Sequence, residues 1–126
     1  MKKLLFVCLG NICRSPAAEA VFLKLINQRD LQAQYQVDSA GTGGWHVGRR
    51  ADARMQNAAR KRGIEINSRA RQIVLEDFNK FDLILTMDNS NLADVNSLSH
   101  ELKGAFNAQV KPLLTYAKNT NLVEVP

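Results

Sequence analysis

Leu4-Leu5-Phe6-Val7, then Cys8-Leu9-Gly10-Asn11-Ile12-Cys13-Arg14-Ser15-Pro16, then Ala17-Ala18-Glu19-Ala20-Val21-Phe22-Leu23-Lys24-Leu25-Ile26 form the stretch on which the chain turns. The first run has the length and apolarity of a buried strand, and the last run reads as a helix. Ser15 is a candidate cap for that helix. Pro16 suits its first turn, where a missing N–H costs nothing. The nonapeptide between is a strand-to-helix turn, with a thiol where the strand ends and a guanidinium where the helix starts. A helix N-terminus carries unpaired N–H groups and partial positive charge. Successive amides wrapped around such a point suit a phosphate or another oxyanion.

Five residues separate Cys8 from Arg14, enough for the loop to curl around one tetrahedral anion. Arg14 can grip two anion oxygens at once, which a lysine cannot imitate. Cys8 faces the same positive concavity, so its thiolate is expected to be favoured; similar sites hold thiol pKa values of roughly 3.5–7.5. A thiolate aimed at phosphorus is an activated nucleophile. Ser15 can donate its hydroxyl to the sulfur. Gly10 gives the loop its freedom to curl, and Asn11 tolerates a left-handed backbone while tying the loop with its side chain.

The totals agree with a single domain large enough to hold a core: 126 residues, 45% apolar and 23% charged. The N-terminus, Met-Lys-Lys before a short apolar run, is too brief for a membrane span and lacks a signal-peptide cleavage pattern. Both cysteines lie in one loop, so they are not a secreted disulfide framework, and a cytoplasmic location is expected. The formal charge of +5 raises a nucleic-acid reading, with Arg49, Arg50, Arg54, Arg60, Lys61 and Arg62 crowded together. No nucleic-acid motif or aromatic platform accompanies them. A solvated helix face that draws anionic substrates toward the loop explains them better.

Tyr35 to Ala40 reads as a second strand, broken by Gly41-Thr42-Gly43-Gly44 and a loop through Trp45, His46 and Gly48. Ala51 to Arg62 is expected to be helical, with Ala51, Met55, Ala58 and Ala59 inward and Gly63 in a left-handed cap. Ile64 to Ile66 is extended connection. Leu75 to Phe78 forms a helical turn, Phe81 to Met87 a third strand, and Asp88-Asn89-Ser90 caps a helix to Ser97. Gln109 to Leu114 is a last strand, which Pro112 assigns to an edge. Strands alternating with helices imply a parallel sheet covered on both sides. Order 2-1-3-4 sets the Cys8 loop at the switch point, where open sheets of this kind bind ligands.

Val7 to Pro16 resembles the low-molecular-weight protein tyrosine phosphatases almost residue for residue. The likeness continues through Val37-Asp38-Ser39-Ala40-Gly41-Thr42, Ala70-Arg71-Gln72-Ile73 and Phe81 to Asp88, and so covers the whole chain. The resemblance implies a flavodoxin-like α/β fold in three layers and hydrolysis of phosphotyrosine, or of aryl phosphates, through phosphocysteine. It implies Cys8 as nucleophile, Arg14 and the amides of Leu9, Gly10, Asn11, Ile12 and Cys13 around the phosphoryl oxygens, and Ser15 and Asn11 in support. It implies no cofactor, a tyrosine-phosphorylated protein as partner, and phosphate or sulfate as a ligand of the loop. No membrane or nucleic-acid partner is expected, and no residues show metal-ligand spacing.

Paired cysteines are familiar in that family's loop, which implies a reversible Cys8–Cys13 disulfide shielding the nucleophile. Family members often carry an aromatic residue at Trp45, implying, together with Ile12, a wall for the substrate ring. An aliphatic residue at Ile12 accompanies phosphotyrosine activity, where a small polar one marks phosphoarginine phosphatases. His46 and His100 read as solvated side chains, and Asp38, Asp82 and Asp88 as residues that end or cap elements. The family's general acid lies in an Asp-Pro loop expected just after Pro126, with a terminal helix beyond. The chain is thus read as one phosphatase domain, 1–126, shortened before that loop and impaired in turnover. Glu124 is not assigned the acid's role. Two alternatives stand beside this reading: an arsenate reductase on the same fold, which would need cysteines beyond Cys13, and a phosphate-binding module with little turnover.

Overall fold

The structure, a computed structural model, describes residues 1–118 and 120–126. Nine elements follow one another: β1 Lys2–Cys8, α1 Arg14–Gln28, β2 Tyr35–Gly41, α2 Ala53–Arg60, α3 Asp77–Lys80, β3 Leu83–Thr86, α4 Asn89–Ser99, β4 Gln109–Pro112 and a 3₁₀ turn Leu113–Tyr116. The strands form one parallel sheet, as the alternation of elements implies, in the expected order β2-β1-β3-β4. β4 pairs only with β3, which leaves Pro112 on an edge.

The apolar run in β1 is explained by burial on both faces. Leu5 and Val7 pack with Phe78, Phe81, Ile84 and Val95 on the α3/α4 side. Phe6 and Cys8 point the other way, toward Leu85, Met87 and, from α1, Ala18 and Phe22. Each fully buried Leu, Val, Ile, Phe or Met among them contributes about 1.5–3 kcal/mol. A smaller cluster seats α2: Ala51, Met55 and Ala59 meet Ala20 and Ile66.

Several boundaries differ from the sequence reading. α1 begins at Arg14 after Cys13, with no side-chain cap; Ser15 is turned inward to the loop instead. Asp52 caps α2 by accepting the Arg54 and Met55 N–H groups, so the helix starts two residues after Ala51. Ala58 is exposed rather than inward, because Met55 and Ala59, one turn apart, define a narrow packed face. α3 falls two residues later than expected, since the Asp77 carboxylate accepts the Val74 N–H and uses the preceding residues as a turn. β3 is shorter than Phe81–Met87, because Phe81 closes α3 and packs in the core. Gly63 has the expected positive φ, +72°. Among the described residues, no helix is long and apolar enough to cross a membrane.

Candidate functional site

The loop between β1 and α1 is held from outside by its carbonyls. Cys8 O accepts from Thr42 N (2.9 Å), Leu9 O from Gly43 N (2.9 Å), Ile12 O from Asp52 N (2.7 Å) and Cys13 O from Ala17 N (3.2 Å). With the carbonyls engaged outward, the N–H groups of residues 9–14 have no protein acceptor among the described residues. A run of amides free on the inner side of a tight loop is an anion-binding nest. Asn11 makes the curl, at φ +57°. Gly41 permits it from across the sheet end: a Cβ there would lie 2.7 Å from Leu9 O and 3.1 Å from Asn11 N.

Beneath the loop runs a directed chain of hydrogen bonds. The Arg71 backbone N–H donates to Asn11 Oδ1 (3.0 Å), and this donor fixes which way the amide faces. Asn11 Nδ2 therefore donates to Ser15 Oγ (2.8 Å). Ser15 Oγ, having accepted one proton, has one of its own, with Ala40 O at 3.4 Å as an acceptor and Cys8 Sγ at 2.9 Å as a neighbour that can accept or donate. The chain thus reaches the sulfur. Asn11, Ser15 and Cys8 are all buried, so each bond is worth more than it would be in water. Arg71 is itself clamped: Nε donates to Asp38 (3.1 Å), and both terminal nitrogens donate to Asp77 (3.0 and 3.1 Å). Burial works against its charge, but Asp77 and Asp38 together raise its pKa.

Arg14 opens α1 and leans toward β3. Its Nη1 donates to Asp88 Oδ2 (2.8 Å) and to Val125 O (3.1 Å). Both bonds fall on one nitrogen, so among the described residues the rest of the fork has no protein acceptor and is available to an anion. Asp88 also caps α4, accepting the Asn91 N–H while Asn91 Oδ1 accepts the Asp88 N–H. Burial opposes its ionisation, yet the Asn91 N–H and the Arg14 guanidinium hold its carboxyl below the usual value. Sequence reasoning assigned Asp88 the cap alone. Its place in the motif Phe81 to Asp88, at the end of the strand beside β1, was the available signal. Glu124 accepts the Asn89 N–H (2.8 Å), a helix-end role that agrees with leaving it unassigned.

Trp45 is 71% exposed and belongs to no core cluster. Its ring lies against Gly43, where any Cβ would collide with it. With Leu9 it borders a cavity of about 420 Å³ beside the loop. Ile12, half-buried, does not line that cavity, so the two candidate ring walls stand apart. Cys13 is exposed and Cys8 buried, both as free thiols. Desolvation raises the Cys13 thiol, and the negative charges of Asp52 and Cys8 add to it. His46 approaches Gly10, whereas His100 ends α4 away from the loop. The six basic residues from Arg49 to Arg62 are exposed, as expected. No cluster of potential metal ligands occurs among the described residues.

Residues 3–126 match the family model described as low molecular weight phosphotyrosine protein phosphatase. The human protein of that name is 46% identical over 122 residues, which span 97% of this chain and 77% of the human one. A crystal structure of a protein tyrosine phosphatase from Entamoeba histolytica superposes with a TM-score of 0.92 at 40% identity, covering 100% of this chain and 79% of that one. An arginine phosphatase from Drosophila gives 0.87 at 40% identity, over 92% of this chain and 73% of its own.

Proposed function

Because the chain belongs to the low molecular weight phosphotyrosine protein phosphatase family, we propose that it hydrolyses phosphotyrosine in proteins, and aryl phosphates generally, through phosphocysteine. The observation that carries this reading is the bond chain from Arg71 N through Asn11 and Ser15 to Cys8 Sγ. An inert buried thiol has no need of a directed donor, whereas a nucleophile does.

The phosphoryl group sits in the loop with its oxygens on the amides of residues 9–14 and on the free nitrogens of Arg14. These donors are in place before charge develops in the transition state, which is where such groups act most strongly. Cys8 Sγ attacks phosphorus. The S–P bond forms as the bond to the aryl oxygen breaks, and the phenolate leaves and takes up a proton. Water then attacks phosphocysteine, the S–P bond breaks, and Ser15 O–H receives the returning thiolate. Asp88 holds Arg14 in line throughout. Val125 is tied to Arg14 through its carbonyl and to Met87 O through its N–H (2.7 Å), which holds residues 123–126 beside the Arg14 guanidinium. Trp45 flanks the ring, and Ile12 stands apart from it. The aliphatic Ile12 supports tyrosine over arginine as the phosphorylated residue.

Rapid mixing with p-nitrophenyl phosphate, followed by mass spectrometry of the quenched protein, tests it. The expected result is a stoichiometric burst of nitrophenol and a phosphoryl adduct on the Cys8 peptide, both lost in Cys8→Ser. Phosphate binding without burst or adduct would favour the binding module. Preference for a phosphoarginine peptide over its phosphotyrosine counterpart would reassign the substrate.

A further inference from the structure

Arg71 lies outside the loop, on the segment between α2 and α3, yet its bonds tie that segment to the rest of the site. Its carbonyl accepts the Gly41 N–H at the end of β2 (2.8 Å), and its own N–H donates to Asn11 Oδ1 (3.0 Å). Its guanidinium holds Asp38 of β2 on one side and Asp77, at the start of α3, on the other. Glu19 of α1 is a further charge acting on it. Asp77 is 4% exposed, and its carboxylate also accepts the Val74 N–H (2.8 Å). Burying an ion pair costs about as much as it returns, and an apolar pair of similar volume is often as stable or better. Stability is therefore a weak reason for this pair. Fixing one arrangement of the chain is a better one, and the arrangement fixed here is that of the Arg71 peptide.

We propose that the Arg71 side chain is a positioning residue for the nucleophile: clamped between Asp38 and Asp77, it holds the backbone N–H that orients Asn11, and Asn11 in turn leaves the Ser15 proton for the Cys8 thiolate. This role rests on the phosphatase reading above and belongs to a residue that touches neither the sulfur nor the phosphoryl group. An amide side chain has an accepting end and a donating end of nearly equal size, so its neighbours set its direction. Among the described residues the Arg71 N–H is the one donor to Asn11 Oδ1, and Ser15 Oγ the one acceptor of Nδ2. In this direction Ser15 accepts from Asn11 and keeps its own proton. Turned over, the amide would present Oδ1 to Ser15 and take the hydroxyl proton for itself. An ionised sulfur 2.9 Å from Ser15 Oγ can only accept, so it would lose its donor. Asn11, Ser15 and Cys8 are each at most 3% exposed, so water does not replace the lost bond. A buried anion without its donor is costly, and the neutral thiol gains.

The pH dependence of iodoacetamide alkylation at Cys8, followed by mass spectrometry of its peptide, reads the thiolate without any turnover. Arg71→Lys keeps the charge but cannot hold both carboxylates, since an ammonium lacks the fork. It should raise the alkylation midpoint by about one pH unit. Asp77→Asn keeps the shape under the fork and removes its charge; it should shift the midpoint the same way by less, and it decides the matter should Arg71→Lys not fold. Ser15→Ala should raise the midpoint too, and Arg71→Lys should add nothing further in that background, because both act on one hydroxyl. Val95→Ala, a core substitution on α4 outside this network, destabilises the fold and should leave the midpoint in place. An unchanged midpoint in Arg71→Lys, a shift that adds in full to that of Ser15→Ala, or an equal shift in Val95→Ala would each overturn the positioning role. A midpoint that shifts as expected in a chain that fails to turn over p-nitrophenyl phosphate would count against the phosphatase reading alone.

Discussion

At the scale of single residues, the site depends on two that carry no reactive group. Gly41 lets the end of β2 approach the loop to within contact of Leu9 O and Asn11 N. Both neighbours are backbone atoms and cannot swing aside. Gly41→Ala is expected to cost about 1–3 kcal/mol, read as a lower urea midpoint, and to weaken phosphate binding to the loop. Asn11 combines a left-handed backbone with an amide that passes orientation from Arg71 to Ser15. Cys13 supports a different expectation. With its exposed thiol in the same loop as Cys8, it can capture an oxidised Cys8 as a disulfide, which thiols reverse. Peroxide inactivation should be rescued by dithiothreitol in the wild type and largely irreversible in Cys13→Ser. Equal recovery in both would remove the redox role.

Elements contribute through their ends. α4 is joined to the loop because its N-cap, Asp88, is also the partner of Arg14. The folded state holds the Asp88 proton more weakly than the unfolded chain does. Asp88 therefore adds stability above its ordinary value of 3.8, and that stability is lost as pH falls through the folded value. Asp88→Asn retains a capping side chain and removes the charge. It should cost about 1 kcal/mol at neutral pH and should flatten the acid limb of a stability–pH curve below about pH 4. Glu19 on α1 behaves oppositely. Burial raises its carboxyl, against the hydrogen bond from Ser39 Oγ (2.6 Å) and with help from Asp38. The folded state then binds this proton more tightly, so its contribution is fully present below the ordinary value of 4.5 and lost as pH rises through the folded value. Glu19→Gln should raise the urea midpoint at neutral pH and leave it little changed near pH 4. A lowered midpoint at neutral pH would show that the Ser39 bond outweighs the burial.

For the whole molecule, charge is arranged on two length scales. The net +5 and the exposed arginines around α2 set a field that draws anions to the loop, while Asp94 on α4 and Glu101 beyond its end border one cavity. Long-range attraction is screened as the Debye length falls from about 30 Å at 0.01 M to about 8 Å at 0.15 M salt. Over that range kcat/KM for acidic phosphopeptides should drop several-fold with kcat unchanged, as measured by steady-state kinetics. Much of this architecture was legible along the chain. Strand, turn and helix around Cys8, the cap at Asp88 and the left-handed Gly63 follow from apolar periodicity and capping residues, which are local rules, while the right-handed crossover restricts the sheet and the family resemblance implies its 2-1-3-4 fold. The spacing of Cys8, Arg14 and Ser15 is likewise a property of one short loop. The pairing of Arg14 with Asp88, the Arg71 N–H on Asn11, the inward turn of Ser15 and the cavity shared by Trp45, Asp94 and Glu101 are not. Arg14 meets Asp88 because parallel β1 and β3, in register at Val7 and Thr86, end side by side, and Arg71 meets Asn11 because its segment is bonded to the end of β2 at Gly41. The sequence alone determined which groups could do the chemistry. The tertiary structure decided which neighbours aim them, since side-chain direction is set by packing between elements that the chain order does not place together.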